Sequence, residues 1–272
     1  MSEPPPKTPL VVTVSRGAGD DERRRAEVVA ARCGADLLTR RQGLDALFDR
    51  YDLVYVVSLR REEIVSPSGT RTFVHPALLR SKLREGLRHP LIRAVWPAAE
   101  REGTSPPGVV DTTLGLCADA LHIAGALDVD VVGLEASPIV FSLAEEGLLR
   151  MGDDKRAEVR AAAARVTPRL IDHQAWLGEV DEDAADVVMT DPMFERPTHA
   201  GPGFDVFRQI ANSRPLADGA LPRMAAAARR RVVMKIRNSQ RTPPEGLPWH
   251  RREVGTQADF VVHDLVSRAS GA

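Results

Sequence analysis

Four carboxylates stand at the ends of successive apolar runs: Asp111 after Val109-Val110, Glu135 after Val131–Leu134, Asp172 after Arg169–Ile171, and Asp191 after Asp186–Thr190. Singly, each reads as a cap or loop acid; together they form a rarer pattern. The last opens Asp191-Pro192-Met193-Phe194, an acid and a proline followed shortly by an aromatic ring. An exocyclic amine of a nucleobase is a poor nucleophile, because its lone pair is delocalised into the ring. Hydrogen bonds from that amine to the Asp191 carboxylate and the Pro192 carbonyl would draw the nitrogen toward tetrahedral geometry, and Phe194 would stack on the base. In isolation an Asp-Pro-x-aromatic segment is more often a turn. Its place after an apolar run in an alternating pattern favours the catalytic reading, with Asp191, Pro192, Met193 and Phe194 as the catalytic loop.

The other acids suit a cofactor. A carboxylate accepts two hydrogen bonds from a diol, so Glu135, about 24 residues after Asp111, fits a ribose. Asp111 and Asp119 suit a cationic group, and Asp172 would accept from an adenine amine, with His173 beside it. Asp111 and Asp119 are joined by a turn through Thr113 and Gly115, and the glycine lets a ligand approach the backbone. A dinucleotide loop wants three glycines, and Gly115 stands alone here, so pyrophosphate binding is disfavoured. The two segments look like the cofactor and catalytic loops of a Rossmann-like methyltransferase that modifies an amino nitrogen, with S-adenosylmethionine as cofactor and Asp191 touching both ligands.

The elements that must position these residues follow from the pattern. Leu10–Ser15, Ala35–Thr39 and Asp52–Leu59 read as strands, with helices over Asp20–Arg32 and Gln42–Tyr51. Asp20 or Asp21 would cap the first helix, and Gly34 would end it. Glu62–Pro67 and Thr70–Val74 flank Ser66-Pro67-Ser68-Gly69 as a hairpin. Ala77–Leu87 has helical spacing, with Leu78, Leu79, Leu83 and Leu87 on one face. Gly103–Gly108 reads as a linker. From Val109 strands and helices alternate, predicting a mostly parallel sheet with crossover helices. Its strands fall at Val109–Asp111, Val129–Glu135, Arg169–Ile171, Asp186–Thr190 and Arg231–Ile236, and Glu253–Val254 with Phe260–Leu265 close an antiparallel edge. Ser137 caps a helix that begins at Pro138. The expected fold is α/β: a Rossmann-like, seven-stranded class I methyltransferase domain over 96–272, preceded by a small α/β region over 1–95 that is a candidate RNA-binding unit.

Composition sets outer bounds. The chain has 272 residues, 43% hydrophobic and 28% charged, and a net charge of −1, ordinary for a globular protein with a large core. No apolar run approaches the roughly 20 residues that span a bilayer, and the proline-rich start lacks a signal-peptide core, so a cytoplasmic protein without membrane attachment is expected. Cys33 and Cys117 read as reduced thiols, and the scattered histidines give no metal-ligand spacing. Charge is unevenly placed. Residues 71–93 carry six Lys/Arg against Glu85, and residues 223–252 carry nine against Glu245. These segments either form a phosphate-binding rim, through Arg80, Lys82, Arg84, Arg88, Lys235 and Arg237, or merely solvate the surface. His75 and His89 each precede a proline and are turn residues or RNA contacts. Trp96, Trp176 and Trp249 read as packing residues, the last with the option of stacking on a base.

Three segments carry a family resemblance: "VVDTTLGLCADALHIA" from Val109, "VVGLEASPIVFSLAEEGL" from Val131, and "DPMF" from Asp191. They resemble the bacterial small-subunit rRNA methyltransferases that modify a guanine's exocyclic amine, together with uncharacterised relatives, to which "FVHPALLRSKLREG" and "HPLIRAV" are also similar. The resemblance implies a class I methyltransferase with S-adenosylmethionine held near Ala118, Asp119, Glu135, Ala136, Asp172, His173 and Asp191, and rRNA as partner. Ala118 replaces the family's usual arginine, and Glu195-Arg196-Pro197 replaces a basic or aromatic continuation. Other readings of the same fold are a DNA or small-molecule amine methyltransferase, and a catalytically idle RNA-binding protein.

Overall fold

The computed structural model describes residues 8–39, 43–192, 202–212 and 214–265, so Met193 and Phe194 lie outside the described residues. The β-branched runs gather into two sheets. In the first, β1 (Thr8–Val14), β2 (Asp36–Leu38) and β3 (Tyr51–Val57) run parallel, and β4 (Glu63–Val65) and β5 (Arg71–Thr72) continue antiparallel, in the order β2-β1-β3-β4-β5. Helix α1 (Asp20–Cys33) crosses from β1 to β2 and ends at Gly34, whose φ of 59° is left-handed and favours glycine. Its cap is Gly19 rather than either aspartate. The Gly19 N–H donates to Glu22 at 2.7 Å, while Asp20 and Asp21 pair with Arg23 and Arg24 in the first turn. The helix expected over Gln42–Tyr51 is a 3-10 turn at Asp45–Leu47, because Tyr51 joins β3 opposite Thr8 and is buried there.

Helices α2 (Pro76–Glu85), α3 (Pro90–Val95) and α4 (Ala98–Arg101) lead to the second sheet. His75 and His89 cap α2 and α3, each accepting through Nδ1 from a backbone N–H, of Ala77 at 3.0 Å and of Leu91 at 3.1 Å. Each is followed by proline at the first helical position, where the missing N–H costs nothing. Because α2 stops at Glu85, Leu87 leaves the apolar face and is 50% exposed, while Leu79 is buried.

The second sheet alternates with its helices: β6 (Val109–Asp111), α5 (Ala118–Leu127), β7 (Val131–Glu135), α6 (Pro138–Gly152), α7 (Ala157–Ala164), β8 (Val166–Leu170), α8 (His173–Glu179), β9 (Ala185–Thr190), α9 (Pro202–Ile210), α10 (Ala220–Ala227) and β10 (Ala228–Arg237). Strands β11 (Arg251–Glu253) and β12 (Ala258–Asp264) follow. The order is β11-β12-β10-β9-β6-β7-β8, and the five strands from β10 to β8 are parallel. The antiparallel edge is a pair, β12 on β10 and β11 on β12. This is the mostly parallel Rossmann-like sheet expected from the alternation.

Apolar burial ties the two sheets together. Val74, Leu79, Leu91, Ile92, Val95 and Trp96 share a core with Val109, Leu121, Ile123, Val131 and Val187. One face of the first sheet, with Val12, Leu53 and Tyr55, packs with α1 onto Val140 and Leu143 of α6 and Val206 and Ile210 of α9. Ions reinforce the seam. Arg25 of α1 pairs with Glu62 at 2.7 Å and with Glu145 of α6 at 2.6 Å, and Arg32 pairs with Glu145 at 2.9 Å. Val74 lies so close to α6 that a Cβ on Gly147 would sit 2.4 Å from its own Cβ. Among the described residues no helix is long and apolar enough to cross a membrane.

Candidate active site

The carboxyl ends of β6, β7 and β9 open on a cavity of about 480 Å³. The loop after β6 is set by short hydrogen bonds. Asp111, 1% exposed, accepts from the backbone N–H of Thr113 at 3.0 Å and from its hydroxyl at 3.3 Å. Gly115 takes φ of 54°, and its N–H donates to Glu135 Oε2 at 3.0 Å. The second Glu135 oxygen accepts the Ser137 N–H at 2.8 Å, so one carboxylate fixes both the glycine turn and the start of α6. Gly133 on β7 is required by the same loop, since a Cβ there would fall 2.4 Å from Leu114. Cys117, at φ of 63°, is buried at the start of α5, and burial pushes its thiol well above the usual range. It is a packing residue of the core under the loop.

Strand β9 delivers Asp191 beside this loop. The Asp191 N–H donates to Thr113 Oγ1 at 2.6 Å, joining the two loops directly. Its carboxylate receives the ammonium of Lys235, on β10, at 2.7 Å, and the same Nζ donates to Asp119 of α5 at 2.8 Å. Lys82 of α2 donates to the other oxygen of Asp119. Asp111, Asp119 and Asp191 thus share the cavity with Lys82 and Lys235. Burial opposes charge at the three acids and at Lys235. At Asp119 the two ammonium groups overcome it and hold the carboxyl below the usual range, and at Lys235 the two carboxylates overcome it and raise the ammonium. At Asp111 burial wins: with the charges of Asp119 and Asp191 added, it pushes the acid up to about 7 against the Thr113 hydrogen bonds. Burial also raises Glu135, against its backbone donors.

Of the sequence-derived candidates, Asp111, Thr113, Gly115, Ala118, Asp119, Glu135, Ala136, His173, Asp191 and Pro192 all line this one cavity. Asp172 caps α8, accepting from Gln174 N at 2.8 Å and from the Asn212 side chain at 3.2 Å. His173 is 7% exposed, and its Nε2 has no partner among the described residues. Lys82 and Lys235 were expected on a phosphate-binding rim, and the structure turns both inward onto Asp119. Arg80, Arg84 and Arg88 are exposed on α2 and the turn after it, and Arg237 is half-buried at the end of β10. Trp249 packs against the second sheet and donates to Pro244 O at 2.7 Å. Phe207, Asn212 and Leu216 line the cavity without having been singled out in the sequence. The amphipathic run over α9 was a signal for a covering helix, though not for what it covers.

The sequence model of the SAM-dependent methyltransferase family matches residues 72–248 of the 272. This chain belongs to that family. Among curated relatives, the methyltransferase is similar to the uncharacterised protein YpiP of Bacillus subtilis, 31% identical over 66% of this chain and 69% of that one. It is equally similar, at 31%, to ribosomal RNA small subunit methyltransferase J of Nitrosococcus oceani, over 77% of this chain and 82% of the relative. A solved SAM-dependent methyltransferase of Neisseria gonorrhoeae superposes with a TM-score of 0.63 at 19% identity, covering 93% of this chain and 95% of that one, and so shares the fold.

The residues of the cavity fit the family's cofactor, S-adenosylmethionine. Asp111, Asp119, Glu135 and Asp191 outnumber the cations of the lining, Lys82, Arg214 and Lys235, by one. The site therefore carries surplus negative charge when its acids are ionised, which suits a ligand with a sulfonium and an ammonium. Glu135 faces the cavity at the end of β7, where an acid can accept from a diol, and Gly115 gives the loop a backbone without side-chain bulk. Among the described residues no group of three or more His, Cys, Asp or Glu is placed to hold a metal ion.

Proposed function

We propose that this methyltransferase modifies an exocyclic amine of a base in ribosomal RNA, a guanine of the small subunit being the expected target. The observation that carries the reading is Asp191: an acceptor at the end of β9, held at its N–H by Thr113 and at its carboxylate by Lys235, on the wall of the cavity that fits the cofactor. When bound, S-adenosylmethionine supplies an electrophilic methyl group. Glu135 and Asp111 are proposed to hold that ligand, and Asp119 to balance its cationic end. Asp191 and the Pro192 carbonyl would accept from the two N–H bonds of the target amine, which localises its lone pair and stabilises the positive charge that develops on nitrogen. Met193 and Phe194, outside the described residues, complete the proposed loop, with Phe194 as the surface on which the base stacks. Exposed Arg80, Arg84 and Arg88 supply the phosphate contacts. The names of curated relatives support rRNA as the substrate, and that substrate implies work in the cytoplasm.

Methyl transfer from tritiated S-adenosylmethionine to purified rRNA, to DNA and to small amines separates the substrate classes. Mapping methylated bases in ribosomes from cells with and without the protein then identifies the nucleotide. The expected result is one small-subunit guanine amine that loses its methyl group in the deletion strain. Label entering DNA or a small amine, and not rRNA, would refute the RNA assignment.

A further inference from the structure

A lysine in the middle of a buried strand needs a reason. Val232, Val233, Met234 and Ile236 of β10 are all buried apolar residues, and Lys235 interrupts them. An ammonium placed there is tolerated only if it is paired. Its partners come from two different elements: Asp119 on α5 at 2.8 Å and Asp191 on β9 at 2.7 Å. Only Oδ2 of Asp191 is engaged, and Oδ1 makes no hydrogen bond among the described residues. We propose that Lys235 positions Asp191 for the amine, joining it to Asp119 through one ammonium and leaving its second oxygen as the acceptor. The proposal rests on the amine-methylation reading.

The chemistry makes the lysine necessary. An N–H bond of the substrate needs an acceptor, and a protonated carboxyl presents a donor on one of its oxygens. Among the described residues, the charged and titratable groups that share the cavity with Asp191 are Asp111 on β6, Asp119 on α5, Lys82 on α2, Lys235 on β10, Glu135 on β7, His173 on α8 and Arg214 after α9. His89 and His122 meet edge to face at 4.4 Å, and burial lowers both, so neither contributes a positive charge near neutral pH. Among the described carboxylates Lys82 pairs with Asp119 and not with Asp191, and its ammonium also donates to the Ala118 carbonyl at 3.5 Å. Burial raises Asp191 above the usual carboxylate range, the charge of Asp119 adds to this, and Lys235 is the nearest group opposing it. Without Lys235, Asp191 would face two acids with no paired cation and would take up a proton. Asp119 would still have Lys82. A rim lysine that binds phosphate would predict the opposite: changes in RNA affinity and none at the carboxylates.

The test compares Lys235→Met, Lys235→Arg and Lys82→Met in the full-length, cofactor-free protein, each checked for a cooperative thermal transition, with Lys235→Gln in reserve should the Met variant not fold. Carboxyl carbon-13 NMR follows the titration of Asp191, assigned with Asp191→Asn. Lys235→Met should raise that titration by about one pH unit or more, whereas Lys235→Arg should leave it within about half a unit of wild type and Lys82→Met should move it less than Lys235→Met does. In a methyl-transfer assay the acid limb of the pH–rate profile should move by the same amount. An Asp191 titration unchanged in folded Lys235→Met, or moved as far by Lys82→Met, overturns the proposal. The NMR readout needs no methyl acceptor, so it stands even if the rRNA assignment fails.

Discussion

The role proposed for Asp111 would link cofactor binding to the proton. The acid is 1% exposed, and burial, with the charges of Asp119 and Asp191, pushes it up to about 7 from an ordinary 3.8. A cation bound beside it favours the ionised form, so S-adenosylmethionine should displace a proton when it binds below that value. With a pKa of about 7, roughly one molecule in eleven is ionised at pH 6 and ten in eleven at pH 8. Affinity should therefore rise about tenfold across this window, near 1.4 kcal/mol. Calorimetric titration at both pH values, in two buffers of different ionisation enthalpy, gives the affinity and the proton count together. Close to one proton should be released at pH 6 and close to none at pH 8. In the free protein the same shift acts on stability in the other direction. Ionising a buried Asp111 disfavours the fold, so its contribution is complete below about pH 4 and is lost as pH rises toward 7. Asp111→Asn should bind the cofactor more weakly at pH 8 and lose the pH dependence. A wild-type affinity that is flat from pH 6 to 8, with no proton released, would refute the reasoning.

Glu135→Gln retains one acceptor beside Gly115 and Ser137 but loses the charge, and Glu135→Ala loses both. The alanine variant should bind S-adenosylmethionine more weakly by about 1.5–3 kcal/mol, with glutamine between it and wild type; equal affinities by calorimetry would remove Glu135 from the site. Asp191→Asn keeps the shape and should reduce single-turnover methylation at saturating cofactor by roughly 100-fold, with little change in substrate binding; a near-wild-type rate would sink the amine mechanism. Replacing two of Arg80, Arg84 and Arg88 should flatten the salt dependence of rRNA binding by about two units, read from affinities at several ionic strengths. Gly147→Ala forces a Cβ against Val74 and should lower stability by about 1–3 kcal/mol in thermal denaturation, leaving the exposed face of α2 unaltered.

The parallel sheet was legible because its strands are short β-branched runs closed by acids, and periodicity reports burial directly. Asp111, Glu135 and Asp191 could be assigned to one site because successive parallel strands deliver their carboxyl ends to the same side. The lysines could not. Lys82 and Lys235 lie 37 and 116 residues from Asp119, so nothing local separates an inward ammonium from a surface one. A signal for Lys235 did exist, in a charge embedded among Val232, Val233, Met234 and Ile236. For Lys82 there was none, since α2 is basic along much of its length. His75 and His89 carried a readable cue, the proline that follows each, and their capping role fits it.

The seam between the two sheets changes what can be learned by cutting the chain. The family match begins at residue 72, which invites truncation at that point. Such a fragment would bare Val140 and Leu143 on α6 and Val206 and Ile210 on α9, and would strip Glu145 of both its arginines. The same two helices border the cavity: α6 is capped by the Ser137 that Glu135 holds, and Phe207 of α9 lines the wall. The leading sheet is thus a buttress for the catalytic pocket. Loss of methylation after its removal would report a collapsed wall as readily as a lost RNA contact, and point substitutions on its solvent side are the sound way to tell the two apart.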